Sequence, residues 1–339
     1  MPAINIETSS PFCEVVTSAR GLSPKALSAL QADPVKANLI LPTYLKARAE
    51  EQKNGLPNPE NTWFVCYDSP ARSRILYVAS LTKGMTGDYP LFIFTTASRS
   101  SLVKEDVEYA MEIMAEAIDL SVSRERVYSV FAVDLVAAAT GIEFYTRPYY
   151  DSTISFCSKR DIIQSRQDTV IPGIQYDLCP ATWEDIPEIG RLCEMFAAES
   201  EPFVLTPRQG QEEGHKLVAS QQVWVHRVRN GNGPTEIASI VAFTRNCDKV
   251  ATITKVYTPP NWRKRGCAER LVRRVCKSLL YSTDPKEHIA LFVGNNNPAA
   301  KVYARVGFLG LDKSKGPVEG VDRWVEIGFD RRQVQIGQW

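Results

Sequence analysis

An α/β chain, in the α+β sense of strands with helices packed on them, is predicted by three stretches of the second half. Residues 254–268 read as a strand, a tight turn and the start of a helix. Residues 222–244 read as a hairpin, because two alternating runs flank Asn230-Gly231-Asn232-Gly233. Residues 288–308 read as a short buried strand, a turn and a short helix.

The first stretch carries the most chemistry. A strand that ends at a turn opening a helix aims several unpaired backbone N–H groups at one point, and the helix dipole adds positive charge there. That combination is an anion site. Arg263, Lys264 and Arg265 place cations on the turn, and Gly266 removes the Cβ that would hold a diphosphate away from the backbone. Beyond it Ala268, Leu271, Val272, Val275 and Leu279 recur at helical spacing, with Arg270, Arg273, Arg274 and Lys277 on the other face, so the helix is amphipathic and packs on the sheet. The turn is neither a P-loop, since no Gly-Lys-Ser/Thr closes it, nor a dinucleotide fingerprint, since no GxGxxG precedes it.

Downstream, His288-Ile289-Ala290-Leu291-Phe292-Val293 suits a buried strand, and Gly294-Asn295-Asn296-Asn297-Pro298 suits a turn. Asn297 can cap the helix that follows, with Pro298 in its first turn and Gly307 at its end. Upstream, Thr182 is a candidate N-cap for a helix that carries Ile189, Leu192, Cys193, Phe196 and Ala197 on one face.

Arg263-x-x-Gly266-x-Ala268 resembles the coenzyme A pyrophosphate loop of the GNAT superfamily, the acyl-CoA-dependent N-acyltransferases. Val256-Tyr257-Thr258-Pro259-Pro260-x-Trp262 resembles the strand that leads into that loop. The segment 297–308 is similar to the second GNAT motif, in which an Asn holds the pantetheine arm and a Tyr six residues later sits near the thioester sulfur. The resemblance covers about residues 174–330. It implies a GNAT fold, with a mixed, mostly antiparallel sheet flanked by helices. It also implies acetyl-CoA as co-substrate, with no metal. Backbone of Val256, Tyr257 and Thr258 would meet the acyl carbonyl. Arg263, Lys264, Arg265, Gly266, Cys267 and Ala268 would hold the pyrophosphate, and Asn297, Ala300 and Tyr303 the pantetheine end. Tyr303 is then the expected general acid and Glu201, after the first helix, a candidate base on the acceptor side. As one carboxylate before a proline, Glu201 also reads as a helix-terminus or solvent residue.

His226, His215 and Lys255 are the other candidates for a base. A lone His on a predicted strand, such as His226, fits a hydrogen-bonded structural role, and His215 reads as lying on a solvated helix end. Base catalysis through ordered water is the alternative. Cys267 reads as a small residue packing under the turn rather than an acyl-enzyme nucleophile, and Trp262 as a hydrophobic anchor.

The first half is predicted to run helix (35–52), strands (63–67, 74–81, 90–97), helix from Leu102, and strand (127–133). This order parallels the second half. Where the second has Arg263-Lys264-Arg265-Gly266-Cys267-Ala268, the first has Ala97-Ser98-Arg99-Ser100-Ser101-Leu102, with no glycine and one cation. The division expected is therefore 1–165, a degenerate GNAT-like or unrelated α+β domain without a CoA site, and 170–339, the catalytic GNAT domain.

With 44% apolar and 23% charged residues, and 40 Lys plus Arg against 39 Asp plus Glu, the composition is that of an ordinary globular protein. Near-neutral charge argues against general nucleic-acid binding, and no run is long and apolar enough to span a membrane. Eight cysteines without CxxC spacing and three histidines indicate reduced thiols in the cytoplasm, not a disulfide framework or zinc site. The sequence thus predicts an acyltransferase acting on a small-molecule amine. The alternatives are a non-catalytic CoA-binding module, or the same fold put to hydrolysis or decarboxylation of an acyl-thioester.

Overall fold

The computed structural model describes residues 10–84, 87–140, 148–164 and 173–337. Its first half contains β1 (Phe12–Val16), α1 (Pro24–Ala32), α2 (Leu41–Asn54), β2 (Thr62–Tyr67), β3 (Ile75–Leu81), β4 (Leu91–Thr95), α3 (Lys104–Ser121), β5 (Ser129–Val133), α4 (Asp134–Ala138) and β6 (Tyr150–Cys157). The second contains β7 (Ile174–Pro180), α5 (Ile186–Ala198), α6 (Pro207–Ala219), β8 (Val223–Asn230), β9 (Thr235–Ala242), β10 (Arg245–Asn246), β11 (Val250–Ile253), β12 (Lys255–Tyr257), α7 (Cys267–Leu280), β13 (His288–Gly294), α8 (Ala299–Val306) and β14 (Arg323–Gly328). Apart from the division of one strand into β11 and β12, and the added β10, the two orders coincide.

The sequence-predicted helix at 35–52 begins later, at Leu41, and α1, β1 and β6 are elements that the sequence reading had not placed. Residues 165–172, where the boundary between the two divisions was expected, lie outside the described residues.

Sheet pairing follows that repeat until the last strand of each half. β1 to β4 pair antiparallel in order and β4 pairs parallel with β5; β7, β8, β9 and β12 likewise pair antiparallel and β11 pairs parallel with β13. The last strands then change places. β14 pairs with β5 of the first half, β6 pairs with β13 of the second, and β6 and β14 pair with each other. A ten-stranded sheet, β1-β2-β3-β4-β5-β14-β6-β13-β11-β10, therefore runs through both halves, beside a four-stranded sheet β12-β9-β8-β7.

Helices cover both faces of the large sheet over β2 to β5, which explains why those strands are buried at nearly every position. Trp63, Val65 and Tyr67 pack with Leu30, Leu39 and Tyr44 from the α1–α2 side, while Phe64 and Cys66 pack with Val107, Met111 and Met114 of α3. At the seam, Phe131, Phe292 and Trp324, on β5, β13 and β14, form edge-on and tilted ring pairs with centroids 5.1–5.4 Å apart. The carboxylate of Glu326 is fully buried there and accepts a 2.7 Å hydrogen bond from Ser129 across the exchanged pair.

In the second half α5 and α6 approach closely because glycines face each other. A Cβ on Gly214 would lie 2.9 Å from the Gly190 backbone nitrogen, and one on Gly210 would lie 2.7 Å from its oxygen. Both helices then bury Ile189, Leu192, Cys193 and Leu217 on Val225 and Ile240.

Because the ladder is shared, the halves should melt together. Scanning calorimetry is expected to show one cooperative transition with matching calorimetric and van't Hoff enthalpies; two resolved transitions would contradict the exchanged-strand topology.

Candidate functional site

The strand predicted to enter the turn is broken. β11 pairs with β13 from Val250↔His288 to Ile253↔Leu291, whereas β12 pairs with β9 from Lys255↔Ala242 to Tyr257↔Ile240. Thr254 is the pivot: its N–H donates to the Ala242 carbonyl at 2.9 Å, and Thr244 Oγ1 meets its Oγ1 at 3.1 Å. Past the pivot, β12 is an edge strand of its own sheet and β13 continues in the other, so the two part and expose main chain. An extended ligand can bond in such a gap as a strand would.

β12 feeds directly into the anion turn. A 3₁₀ turn at Pro260–Trp262 is followed by Lys264 with φ 62° and Gly266 with φ 72°, and Gly266 is the N-cap of α7. Two left-handed residues leading into a fourteen-residue helix turn successive N–H groups to one side, the geometry that binds phosphate. Trp262 is buried with Val228, Ala238 and Cys267, and its indole N–H donates to Glu236 at 3.1 Å, which anchors the turn as expected. The Arg265 guanidinium stacks on that indole, 4.9 Å from the ring centroid.

Arg263 differs from the expectation that all three cations serve the turn. Its Nε donates to the Thr258 carbonyl at 2.9 Å and its Nη2 to Glu199 at 2.5 Å, an oxygen that also accepts from the Tyr257 hydroxyl at 3.1 Å. Arg263 thereby fastens the turn to the end of α5. Glu199 was not singled out from sequence, since a glutamate after a helix carries no pattern that names its partner.

Arg270 and Arg273 also depart from expectation, because both are buried rather than on a solvated face. Arg270 donates to the Arg265 carbonyl at 2.7 Å and lies over Tyr176, while its Nη1 is 3.0 Å from where a Cβ on Gly266 would stand. It braces the turn from beneath. Tyr176 stacks in turn on His226, 5.1 Å between centroids, and ordinary alternation along β8 puts His226 and Arg227 on opposite faces, with Arg227 paired to Asp185. Burial and the nearby Arg270 charge lower the His226 pKa to about 4, so it is neutral and structural at neutral pH.

The turn's helix is tied to the second motif by charge. Glu269 accepts from Arg273 at 2.8 Å and from Arg305 at 2.5 Å, which joins α7 to α8. Burial pushes the Glu269 carboxyl up, but the two guanidiniums hold it below its ordinary value. Asn297 caps α8 as predicted, its Oδ1 accepting from the Ala299 N–H at 2.9 Å. Tyr303 lies in α8 at 8% exposure, its ring 5.8 Å from Phe308, and Val293 belongs to the same cluster. Burial, with a smaller contribution from Tyr150, pushes its pKa up, so the hydroxyl stays protonated.

Glu201 is exposed, ahead of Pro202, while the loop it belongs to docks through Phe203 on Tyr128 and Tyr149, with centroids 6.2 and 5.9 Å away. His215 is exposed on α6, edge-on to Trp183, and Lys255 pairs with Glu213 at 2.7 Å. In the first half, Arg99 of the corresponding turn donates two hydrogen bonds to Asp134, at 2.7 and 2.6 Å.

This architecture has parallels among known proteins. Residues 237–315, from β9 past α8, match the family model described as FR47-like protein, which is GNAT-related. Over 93% of this chain and 94% of the other, the fold is similar to that of a GCN5-related N-acetyltransferase from Sphaerobacter thermophilus, with 14% identity and a TM-score of 0.50. It is also similar to a Drosophila protein, with 10% identity and a TM-score of 0.56 over 94% of this chain and 99% of the other. No curated protein matches the chain. The fold is thus the GNAT fold that the two motifs implied, and the FR47-like match falls on the segment that carries both motifs.

The His226 pKa, depressed from its ordinary 6.5, sets a sign for stability. The unfolded chain takes up the proton first, so stability is complete above pH 6.5 and falls as pH drops toward 4. The loss should be on the order of 3 kcal/mol, and urea titrations across that range should show a smaller loss for His226→Gln. An equal loss in the variant would remove His226 from the account.

Proposed function

We propose that the chain is an acyl-CoA-dependent N-acyltransferase that moves acetyl from acetyl-CoA directly to a small-molecule amine. The observation that carries this reading is the parting of β12 from β13 at Thr254, immediately before a left-handed turn that opens α7. The residues fit the co-substrate. Backbone N–H groups from Arg265 to Ala268 would hold its diphosphate, with Lys264 and Arg265 as cations, and the missing Cβ of Gly266 leaves room for approach. Asn297 and Ala300, at the start of α8, would meet the pantetheine arm. Main chain of Val256, Tyr257 and Thr258 on the open edge would meet the acyl carbonyl. The oxyanion of the tetrahedral intermediate needs donors fixed beforehand, and a strand edge supplies them at little reorganisation cost.

Proton transfer in this reading belongs to Tyr303. Its hydroxyl remains protonated to high pH because burial disfavours the phenolate, so it can donate a proton to the departing thiolate. Glu201 is exposed and joined to the first half through its loop, which suits contact with the acceptor more than deep proton abstraction. The degenerate turn of the first half, its cation engaged by Asp134, fits a domain that walls the acceptor side without a co-substrate of its own.

Purified protein mixed with acetyl-CoA and a panel of amines is expected to release free thiol only when an amine is present. Release without amine would favour hydrolysis, and calorimetric binding without turnover a regulatory module. Gly266→Glu should abolish acetyl-CoA binding, by adding bulk and negative charge at the diphosphate, while its melting curve shows that the protein still folds; retained affinity would mean the loop lies elsewhere. Tyr303→Phe should lower kcat roughly 100-fold, within the range for general acid catalysis, with little change in acetyl-CoA affinity. A parallel loss of both would end the acid assignment.

A further inference from the structure

Residues 257–263 separate two stretches of main chain with different work to do. Before them lies the open edge of β12, and after them the left-handed turn that opens α7. The segment is short and stiff. Pro259 and Pro260 each fix φ, the Trp262 N–H donates to the Pro259 carbonyl at 2.9 Å, and the Arg263 N–H donates to the Pro260 carbonyl at 3.3 Å. Its near end is pinned to β9, where Ser239 Oγ donates to the Tyr257 carbonyl at 2.9 Å and accepts from Thr258 Oγ1 at 2.9 Å.

One carboxylate oxygen closes this segment on itself. Glu199 Oε1 accepts from the Tyr257 hydroxyl at 3.1 Å and from Arg263 Nη2 at 2.5 Å, so it touches the first residue and the last. Arg263 completes the ring. Its Nε donates to the Thr258 carbonyl at 2.9 Å, and its guanidinium lies over the Tyr257 ring, 5.6 Å from the centroid. The ion pair is exposed, with 44% of the Arg263 side chain and 53% of the Glu199 side chain open to solvent, and such a pair adds little to folding stability. What the converging contacts do set is where residue 263 stands relative to residue 257. They also occupy the guanidinium, which leaves Lys264 and Arg265 as the cations available to an anion on the turn.

Resting on the acyl-CoA reading of the gap and the turn, we propose that Glu199 is a positioning residue that fixes the spacing between the two ends of the co-substrate. In that reading the diphosphate is held at 264–268 and the acyl end at 256–258, so the spacer between them decides whether one molecule can satisfy both. When the spacing matches, the ends bind as a chelate: once the first is seated, the second is presented at high effective concentration. Glu199 acts on this only through Tyr257 and Arg263. Its loss lets the spacing vary while each subsite keeps its own groups.

Fragments of the co-substrate test the idea without any acceptor. The full chain is titrated with acetyl-CoA, with S-acetylpantetheine, which lacks the diphosphate, and with ADP, which lacks the acyl arm; calorimetry follows the intact molecule and ligand-observed NMR the fragments. Glu199→Ala is expected to weaken acetyl-CoA about tenfold, the scale of one lost charge-assisted hydrogen bond, while both fragments keep their wild-type affinities. Glu199→Gln, whose amide oxygen can still accept both hydrogen bonds, should recover part of the loss. A fragment that weakens in parallel with acetyl-CoA would overturn the proposal, because Glu199 would then belong to that subsite or to the fold at large. Unchanged acetyl-CoA affinity in Glu199→Ala would overturn it as well. Should Glu199→Ala fail to fold, Arg263→Gln cuts the same clamp from its other side and should give the same pattern; loss of ADP affinity there would overturn the proposal by making Arg263 a direct phosphate ligand. Binding of none of the three molecules to the wild-type chain would instead overturn the co-substrate reading itself.

Discussion

A strand cannot stay hydrogen-bonded to two sheets that diverge, and at Thr254 the chain changes its allegiance from one to the other. Up to Ile253 its partner is β13; from Lys255 it is β9. The two Thr hydroxyls at 244 and 254 and the bond from the Thr254 N–H to Ala242 hold the pivot in place of a regular ladder. Everything chemical follows from that gap: the open edge of β12, the facing edge of β13, and the direction in which the chain enters the turn at Lys264 and Gly266. A continuous strand here would pair fully and leave no main chain open.

The turn is built for rigidity beneath and access above. Arg270 reaches under it to the Arg265 carbonyl, Trp262 plugs it into the core, and Arg263 laces it to Glu199 at the end of α5. Glu269 then couples its helix to α8 through Arg273 and Arg305. The contacts of Arg270 and Glu269 are buried or half-buried, and removing one partner there would leave an uncompensated charge inside, so they fix geometry more than they add stability, whereas the Arg263–Glu199 pair is exposed. The turn at Lys264–Gly266 and the helix carrying Tyr303 are thus tied to each other through α7.

Local signals in the sequence were sound wherever a single element carried them. The Gly266 turn, the Asn297 cap and the amphipathic run of α7 each depend on neighbours within a few residues, and the structure has all three. What escaped depends on distant partners. The arginines at 270 and 273 read as a solvated face because helical spacing gives sidedness but not the burial of a cation under a loop. Likewise the exchange of β6 and β14 is invisible to pattern reading, since a strand's alternation is the same whichever neighbour it joins. Glu199 was missed for that reason: it matters through the side chains of Tyr257 and Arg263, contributed from elsewhere in the chain.

The exchanged strands also constrain how the chain is made. β5 is finished at Val133, but the strand that covers its edge begins only at Arg323. At ordinary translation rates of about 5–20 residues per second, a nascent first half waits roughly ten to forty seconds with a row of unsatisfied amides and the apolar flank of Phe131 uncovered. During that interval it is a target for chaperones and for wrong pairing with another nascent chain, and it becomes safe only when β14 emerges from the ribosome.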